Sequence, residues 1–474
     1  METAIAWRGE NLPMHRYIGD RSFYKRVFAI LLPILIQNLI TTFVSLLDNI
    51  MVGQIGTEPM SGVAIVNQLI FVYNICVFGG LSGAGIMTAQ FFGKGDEEGI
   101  RQSIRVKLFI ALVIFLLFGS ALMLHGDHFI RLFLHEGDSA LDLKATAGYA
   151  RTYLNVILIQ MLPFAINMMY SSTLRETGET LLPMKAGLAA VFVNLIFNYI
   201  LIFGKFGAPA LGVVGAAIAT VIARFVEMAI VMIWTHRHLD HNPFIRGVYT
   251  SFHVERETLK KVVLLGFPLM INELLWSFGM TLLNQCYSLR GLEVVSAMNI
   301  ANTIADLFFS AFISTGTATA IMVGQLLGAG ELDRAVDEDR KLLAFALGLS
   351  IIIAVLTACT APFVPKLYNT IPKVRLLATN LLLISAAAMP LHAFANSCYF
   401  TLRSGGKALI TFLFDGGVLW LVSIPVAFSL SHFTTMPIQP MYALVEGLNL
   451  FKCIVGAFMV HRKRWVVNLV GEKT

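Results

Sequence analysis

Charged side chains are scarce in this sequence. Asp, Glu, Lys and Arg make up 14% of its 474 residues, against roughly 25% in soluble domains. Between Arg26 and Lys94 there is no Lys or Arg at all. Cysteine is rare as well. Cys76, Cys286, Cys359, Cys398 and Cys453 all fall in apolar segments without metal-ligand spacing, so they read as small buried hydrophobes. No GxxxxGK[ST] phosphate loop occurs, which excludes an ATPase acting in cis. HEXXH, paired CxxC and GxSxG motifs are missing too, so no enzyme chemistry and no cofactor are expected. The first 26 residues lack the basic region, apolar core and small-residue cleavage site of a secretory leader. The first apolar helix is therefore expected to remain in the mature protein.

What the chain has in abundance is hydrocarbon. It is 57% hydrophobic, with a mean hydropathy of +0.73. A membrane-spanning helix needs about 20 largely apolar residues. Twelve segments qualify: 27–55, 62–92, 105–125, 148–172, 182–204, 210–235, 261–289, 294–327, 342–363, 374–401, 408–430 and 436–460. These are long continuous runs, which excludes the short alternating strands of a β-barrel. Twelve spans put both termini on one side. With the termini inside, 25 Lys and Arg fall on the inner side and 8 on the outer, and Arg224 and Lys452 lie within spans. The positive-inside rule then makes both termini cytoplasmic. The net charge of +6 reflects that bias and does not call for a nucleic-acid partner.

The chain repeats itself. Shifted by 235 residues, LLPILIQNLITTF (31–43) falls on GFPLMINELLWSF (266–278), and GIMTAQFFGKGD (85–96) on AIMVGQLLGAGE (320–331). From Pro33 to Asp96 no gap is needed, and 16 of 64 positions are identical. At a shift of 228, STLRETGET (172–180) matches FTLRSGGKA (400–408). An even number of helices per half gives both halves the same orientation. The expected architecture is an all-α polytopic membrane protein, with twelve transmembrane helices in two pseudo-symmetric six-helix lobes around a central cleft. The expected parts are an N-terminal tail (1–26), an N-lobe (27–235), a cytoplasmic linker (236–260), a C-lobe (261–460) and a C-terminal tail (461–474). Two facing bundles that rock alternately suit a carrier better than a pore or an enzyme.

Ionisable residues inside spans are functional suspects by default, because a lone charge in hydrocarbon is costly. Asp48, in FVSLLDNIMVG (43–53), is the first. Glu273 follows the helix-kinking Pro268 near the middle of its span. Asp306, Asp415 and Glu446 lie on the eighth, eleventh and twelfth spans. Arg224 and Glu227 stand three apart on one helix and read as a structural pair. Aromatic and Met side chains can line a forgiving pocket for flat cations. Tyr73, Phe164, Met168, Trp276 and Phe308 are named as candidates for that lining.

The LLDNIMVGQIG stretch, the GKGD helix end, the TLRETGET loop, NLIFNYILIFG and GVVGAAIAT, in this order and spacing, resemble the multidrug and toxic compound extrusion (MATE) family. The resemblance covers about residues 25–460. It implies a secondary transporter that exports organic, often cationic, compounds in antiport with H⁺ or Na⁺. The small-molecule substrate and the lipid bilayer would be its partners, and the inner membrane of a bacterial cell its location, as a monomer. The resemblance makes Asp48 the coupling carboxylate, with Asn194, Asn198 and Thr220 beside it. No metal site is expected beyond Na⁺ at Asp48. The alternative reading is that Asp48 only bonds neighbouring amides and fixes the helix bend. Leu283 stands where Asp48 would map in the second half, and Asn38 where Glu273 would map. His392 occupies the place of an aspartate found in some relatives, so a Glu273–His392 partnership is expected. Arg175 and Arg403, in the two TLR motifs, read as lobe-folding residues at helix C-termini. The rival function is a lipid or lipid-linked oligosaccharide flippase of a related fold.

Overall fold

The computed structural model describes residues 17–134, 142–368 and 370–471, so the expected tails lie partly outside the described residues. Twelve helices are long and apolar enough to cross a membrane: α1 (Arg21–Gly53), α2 (Thr57–Lys94), α3 (Glu97–Arg131), α4 (Leu143–Glu176), α5 (Leu181–Phe203), α6 (Val213–Arg237), α7 (Arg256–Ser288), α8 (Leu292–Gly328), α9 (Leu332–Thr360), α10 (Pro372–Ser404), α11 (Ala408–Phe433) and α12 (Ile438–His461). Each matches one expected segment. The protein is a multi-pass membrane protein.

The differences are local and have causes. α1 begins before residue 27 because Asp20 caps it, its carboxylate accepting from the Phe23 amide at 2.8 Å. α3 begins before residue 105 because Asp96 does the same for Gly99 at 2.9 Å. α11 is no plain helix: Leu413–Gly417 and Leu419–Ser423 are π-helical turns. α12 changes at Leu448 between Ile438–Gly447 and Asn449–His461. Such irregularities cost backbone hydrogen bonding and tend to mark functional places. Cys359 is exposed, unlike the other four cysteines, because it lies on the outward face of α9.

The repeat survives in three dimensions. Gly95 and Gly330, related by the 235-residue shift, end α2 and α8 in the same left-handed turn, at φ +76° and +78°. A side chain there would strain the backbone. The two helices cross beside these turns. A Cβ on Gly93 would collide with the carbonyl of Gln325, and a Cβ on Gly328 with the carbonyl of Gln90. The crossing carries a reciprocal pair of hydrogen bonds. Gln325 Nε2 donates to the Glu176 carbonyl at 2.8 Å, and Gln90 Nε2 to the Ser404 carbonyl at 3.1 Å. Each glutamine thus holds the last turn of a helix in the opposite lobe.

The chain after α12 seals the same face. The Leu469 amide donates to Gln90 Oε1 at 2.7 Å, and Lys94 Nζ to the Val470 carbonyl at 2.9 Å. Trp465 is fully buried, with its backbone against Gly405. Arg26 reaches Glu338 across the lobes at 2.7 Å. Towards the opposite face the apolar cores separate, although α7 lends Val262, Met270 and Leu274 to the N-lobe cluster. Val52, Val63 and Tyr153 belong to one, and Leu283, Tyr287, Val294 and Tyr442 to the other. The cleft is therefore closed at the face bearing the termini.

Near the closed face, α3 does more than the sequence suggested. Lys107, counted among the inner-side cations in the sequence, is fully buried. Its Nζ lies 2.5 Å from Glu176 Oε2, with Ser172 Oγ at 3.0 Å and Thr173 Oγ1 at 2.9 Å. Gly85 leaves room for that carboxylate. Removing one partner of a buried pair strands the other charge, at a cost of about 3–5 kcal/mol. Lys107→Met is thus expected to lower the thermal unfolding midpoint of the purified protein sharply. An unchanged midpoint would mean that Glu176 finds a substitute partner. Arg105 staples the linker, donating to the carbonyls of Val248 at 3.0 Å and His253 at 2.9 Å.

Candidate functional site

Two polar clusters interrupt the apolar lobes. In the N-lobe, α1, α5 and α6 converge at the end of the cleft away from the termini. Asn194 and Asn198 stand one turn apart on one face of α5, and both are buried. Asn198 Nδ2 donates to Asp48 Oδ1 at 2.5 Å and to Asn194 Oδ1 at 3.1 Å. Asn194 Nδ2 donates to Thr220 Oγ1 at 3.3 Å, and Thr220 donates to the Ala216 carbonyl at 3.0 Å. The four sequence-selected residues thus form one continuous hydrogen-bonded chain, with donation running outward from Asn198 to Asp48 on one side and through Asn194 to Thr220 on the other. Asn198 Oδ1 is buried without a partner. An oxygen left unpaired beside a carboxylate is a place for a proton donor or a small hard cation. Arg224 and Glu227 form the pair read from the sequence, at 2.8 Å, with the guanidinium 5.5 Å from the centre of the Phe164 ring.

In the C-lobe, a cavity of about 1300 Å³, counted with the solvent at its mouth, runs along α7, α8, α10, α11 and α12. Glu273, His392, Asp415, Glu446 and Trp276 line it. The pairing differs from the expected one. His392 Nε2 meets Glu446 Oε2 at 2.6 Å, and Glu273 meets Tyr399 and Arg403. Tyr399 donates to Glu273 Oε1 at 3.2 Å, and Arg403 Nη1 lies 3.9 Å from the same oxygen. The reason is axial position. Glu273 sits level with Tyr399, seven residues beyond His392 on α10, or about 10 Å along a helix axis. Asp415, carried by the first π turn of α11, receives Lys452 Nζ at 2.8 Å and Asn272 Nδ2 at 3.2 Å. Asn272 Oδ1 in turn accepts from the Gly416 amide at 3.0 Å.

Other candidates fall elsewhere. Asp306 does not join the cavity lining; it is exposed on α8. Phe308 is not on the lining either, whereas its neighbour Phe309 is. Tyr73 is fully buried in the N-lobe core, donating to the Met161 carbonyl at 2.7 Å. Phe164 packs against Tyr73, with ring centres 6.1 Å apart. Met168 lines a second cavity, nearer the termini. Residues that the sequence reading did not single out for the site include Tyr399, Asn272, Asn449 and Lys452. Of these, Lys452 was legible as a lone cation inside an apolar run.

This fold and these clusters can be set beside known proteins. The MatE family model matches residues 33–200 and 268–429, one block in each half of the repeat. The chain belongs to the MatE family. Among MatE relatives, the "Probable multidrug resistance protein YoeA" of Bacillus subtilis is 26% identical over 425 residues, covering 88% of this chain and 89% of that protein. The "Multidrug resistance protein MdtK" of Pectobacterium atrosepticum is 26% identical over 381 residues, covering 79% of each chain. Solved MATE structures share the fold. One described as an outward-facing multidrug resistance MATE transporter aligns with a TM-score of 0.84 at 20% identity, covering 96% of this chain and 98% of that one. A MATE in a bent conformation gives 0.84 at 19% identity, with the same coverage.

Proposed function

We propose that this MatE protein exports organic, often cationic, compounds in exchange for H⁺ or Na⁺. It works by alternating access, as a monomer in the bacterial inner membrane with both termini in the cytoplasm. One observation carries the coupling: the chain Asp48–Asn198–Asn194–Thr220, with the Asn198 oxygen beside the carboxylate left without a partner. Asp48 sits near the end of α1, which carries Pro33 in its interior and packs along α5. A proton or cation taken up there changes what Asp48 accepts, and with it the packing of α1 on α5. To drive export, the ion must bind one state of the lobes better than the other. With the basic loops inside, the closed face is cytoplasmic and the open cavity faces out. Acids line that cavity, as a site that releases cations outward requires.

The test is dye transport in proteoliposomes holding the full chain, with a pH gradient and a Na⁺ gradient imposed separately. A fluorescent organic cation is expected to move under one gradient and not the other. Sound protein that moves no cation under either gradient would sink this reading and bring forward the flippase. The basic side chains of the second cavity, nearer the termini, are the one observation that favours that alternative.

A further inference from the structure

The two cavities differ in sign. The open one is lined by Glu273, Asp415 and Glu446, with Lys452. The second lies between the lobes near the closed face, and Arg175, Arg403 and Glu176 line it. Glu176 is already matched by Lys107 at 2.5 Å. The two arginines remain.

Neither guanidinium is satisfied. Arg403 is buried, at 7% exposure, between the rings of Phe78 and Phe400, 5.6 and 5.4 Å from their centres. Its Nη2 donates to Ser82 Oγ, but its Nη1 has no hydrogen-bond partner. The nearest carboxylate oxygen, on Glu273, is 3.9 Å from Nη1. The Arg175 guanidinium has one hydrogen-bond partner, the Met168 sulfur at 3.7 Å. No carboxylate among the described residues reaches ion-pair distance of it. Both arginines stand in the last turn of their helices, as expected from the sequence, but neither donates to the terminal carbonyls there. The terminal carbonyls of Glu176 and Ser404 are taken by Gln325 and Gln90 instead. A buried guanidinium short of acceptors, such as that of Arg403, is costly; Arg175 is half-buried, and both planar forks fit carboxylate and phosphate.

We propose that this inter-lobe cavity is an anion-binding subsite, in which Arg175 and Arg403 hold the carboxylate or phosphate head of an amphiphile. The two arginines occupy equivalent places in the TLR motifs, one in each lobe. An anion between them therefore ties the lobes together at the closed face. The apolar walls, with Ile34, Leu81, Phe78 and Phe400, take the ligand's hydrocarbon. This site does not rest on ion coupling at Asp48: cation export can fail with the site intact, and the site can fail with export intact.

The experiment is a fluorescence titration of the purified full chain with 11-(dansylamino)undecanoic acid and with its uncharged primary amide. The acid is expected to bind roughly tenfold tighter than the amide, the scale of one charge-assisted hydrogen bond. Arg175→Gln is expected to remove most of that difference, Arg403→Gln likewise, and Arg175→Lys to keep part of it. The acid–amide comparison on the unaltered chain needs no variant and survives a variant that fails to fold. Nanodiscs then separate the sources of the anion. Displacement of the acid by phosphatidylglycerol, but not by phosphatidylcholine, supports the site with a lipid headgroup. Displacement by neither supports it with a soluble carboxylate. Equal affinities for acid and amide, or acid binding untouched in the folded double variant, overturn the proposal.

Discussion

Replacing Asp48 with Asn is expected to abolish ion-driven efflux while leaving the protein folded. The substitution is nearly isosteric, and its amide oxygen still accepts from Asn198 Nδ2, which now lies 2.5 Å from Asp48 Oδ1. The other members of the chain, Asn194, Asn198 and Thr220, do not titrate in the physiological range. The substitution thus removes the cluster's one ionisable group and little else. Transport of the organic cation under the driving gradient should fall at least tenfold, on the order of 1.4 kcal/mol or more of lost coupling. Binding of the dye without a gradient should persist. Undiminished gradient-driven efflux at normal expression would mean that the coupling ion is taken up elsewhere, with Glu273 in the C-lobe cavity the next group to change. It would also favour the plainer reading of Asp48 as a residue that sets the shape of α1.

Gly93→Ala is expected to act on the conformational equilibrium. At the crossing of α2 and α8, a Cβ would collide with the Gln325 carbonyl, and the obstacle is backbone, which cannot rotate away as a side chain can. The helices must separate, and the Gln325–Glu176 and Gln90–Ser404 hydrogen bonds stretch with them. Overpacking of this kind typically costs about 1–3 kcal/mol, and here the strain falls on the state closed at the termini face. A penalty near 3 kcal/mol moves the balance between states more than a hundredfold. Gly328→Ala should act in the same way through the Gln90 carbonyl. Spin labels on Phe92→Cys and Ala329→Cys, exposed positions of ordinary helical backbone beside the crossing, in a background lacking the native cysteines, would report the separation. A longer distance with slowed efflux is the expected result. Unchanged distances and unchanged efflux would mean that the crossing has room to spare.

The sequence alone determined the class and architecture. Hydropathy and length are properties of a linear string, so twelve spans could be counted before any were folded. The duplication fixed their pairing into two lobes of like orientation, and the asymmetry of Lys and Arg set the expected sidedness. The N-lobe cluster was legible too. The four-residue spacing of Asn194 and Asn198 puts them on one helix face, and the family resemblance brought Asp48 and Thr220 to that face. The C-lobe was only half legible. Its acids stood out, but their partners did not. His392 turned to Glu446, and the π turns of α11 carried Asp415 to Lys452. Lys107, counted only as an inner-side cation, lay buried against Glu176, and the two TLR arginines were left short of acceptors. All of these depend on how far each helix is rotated and slid against its neighbours. Packing of whole helices sets that, and the composition of any one segment carries no record of it.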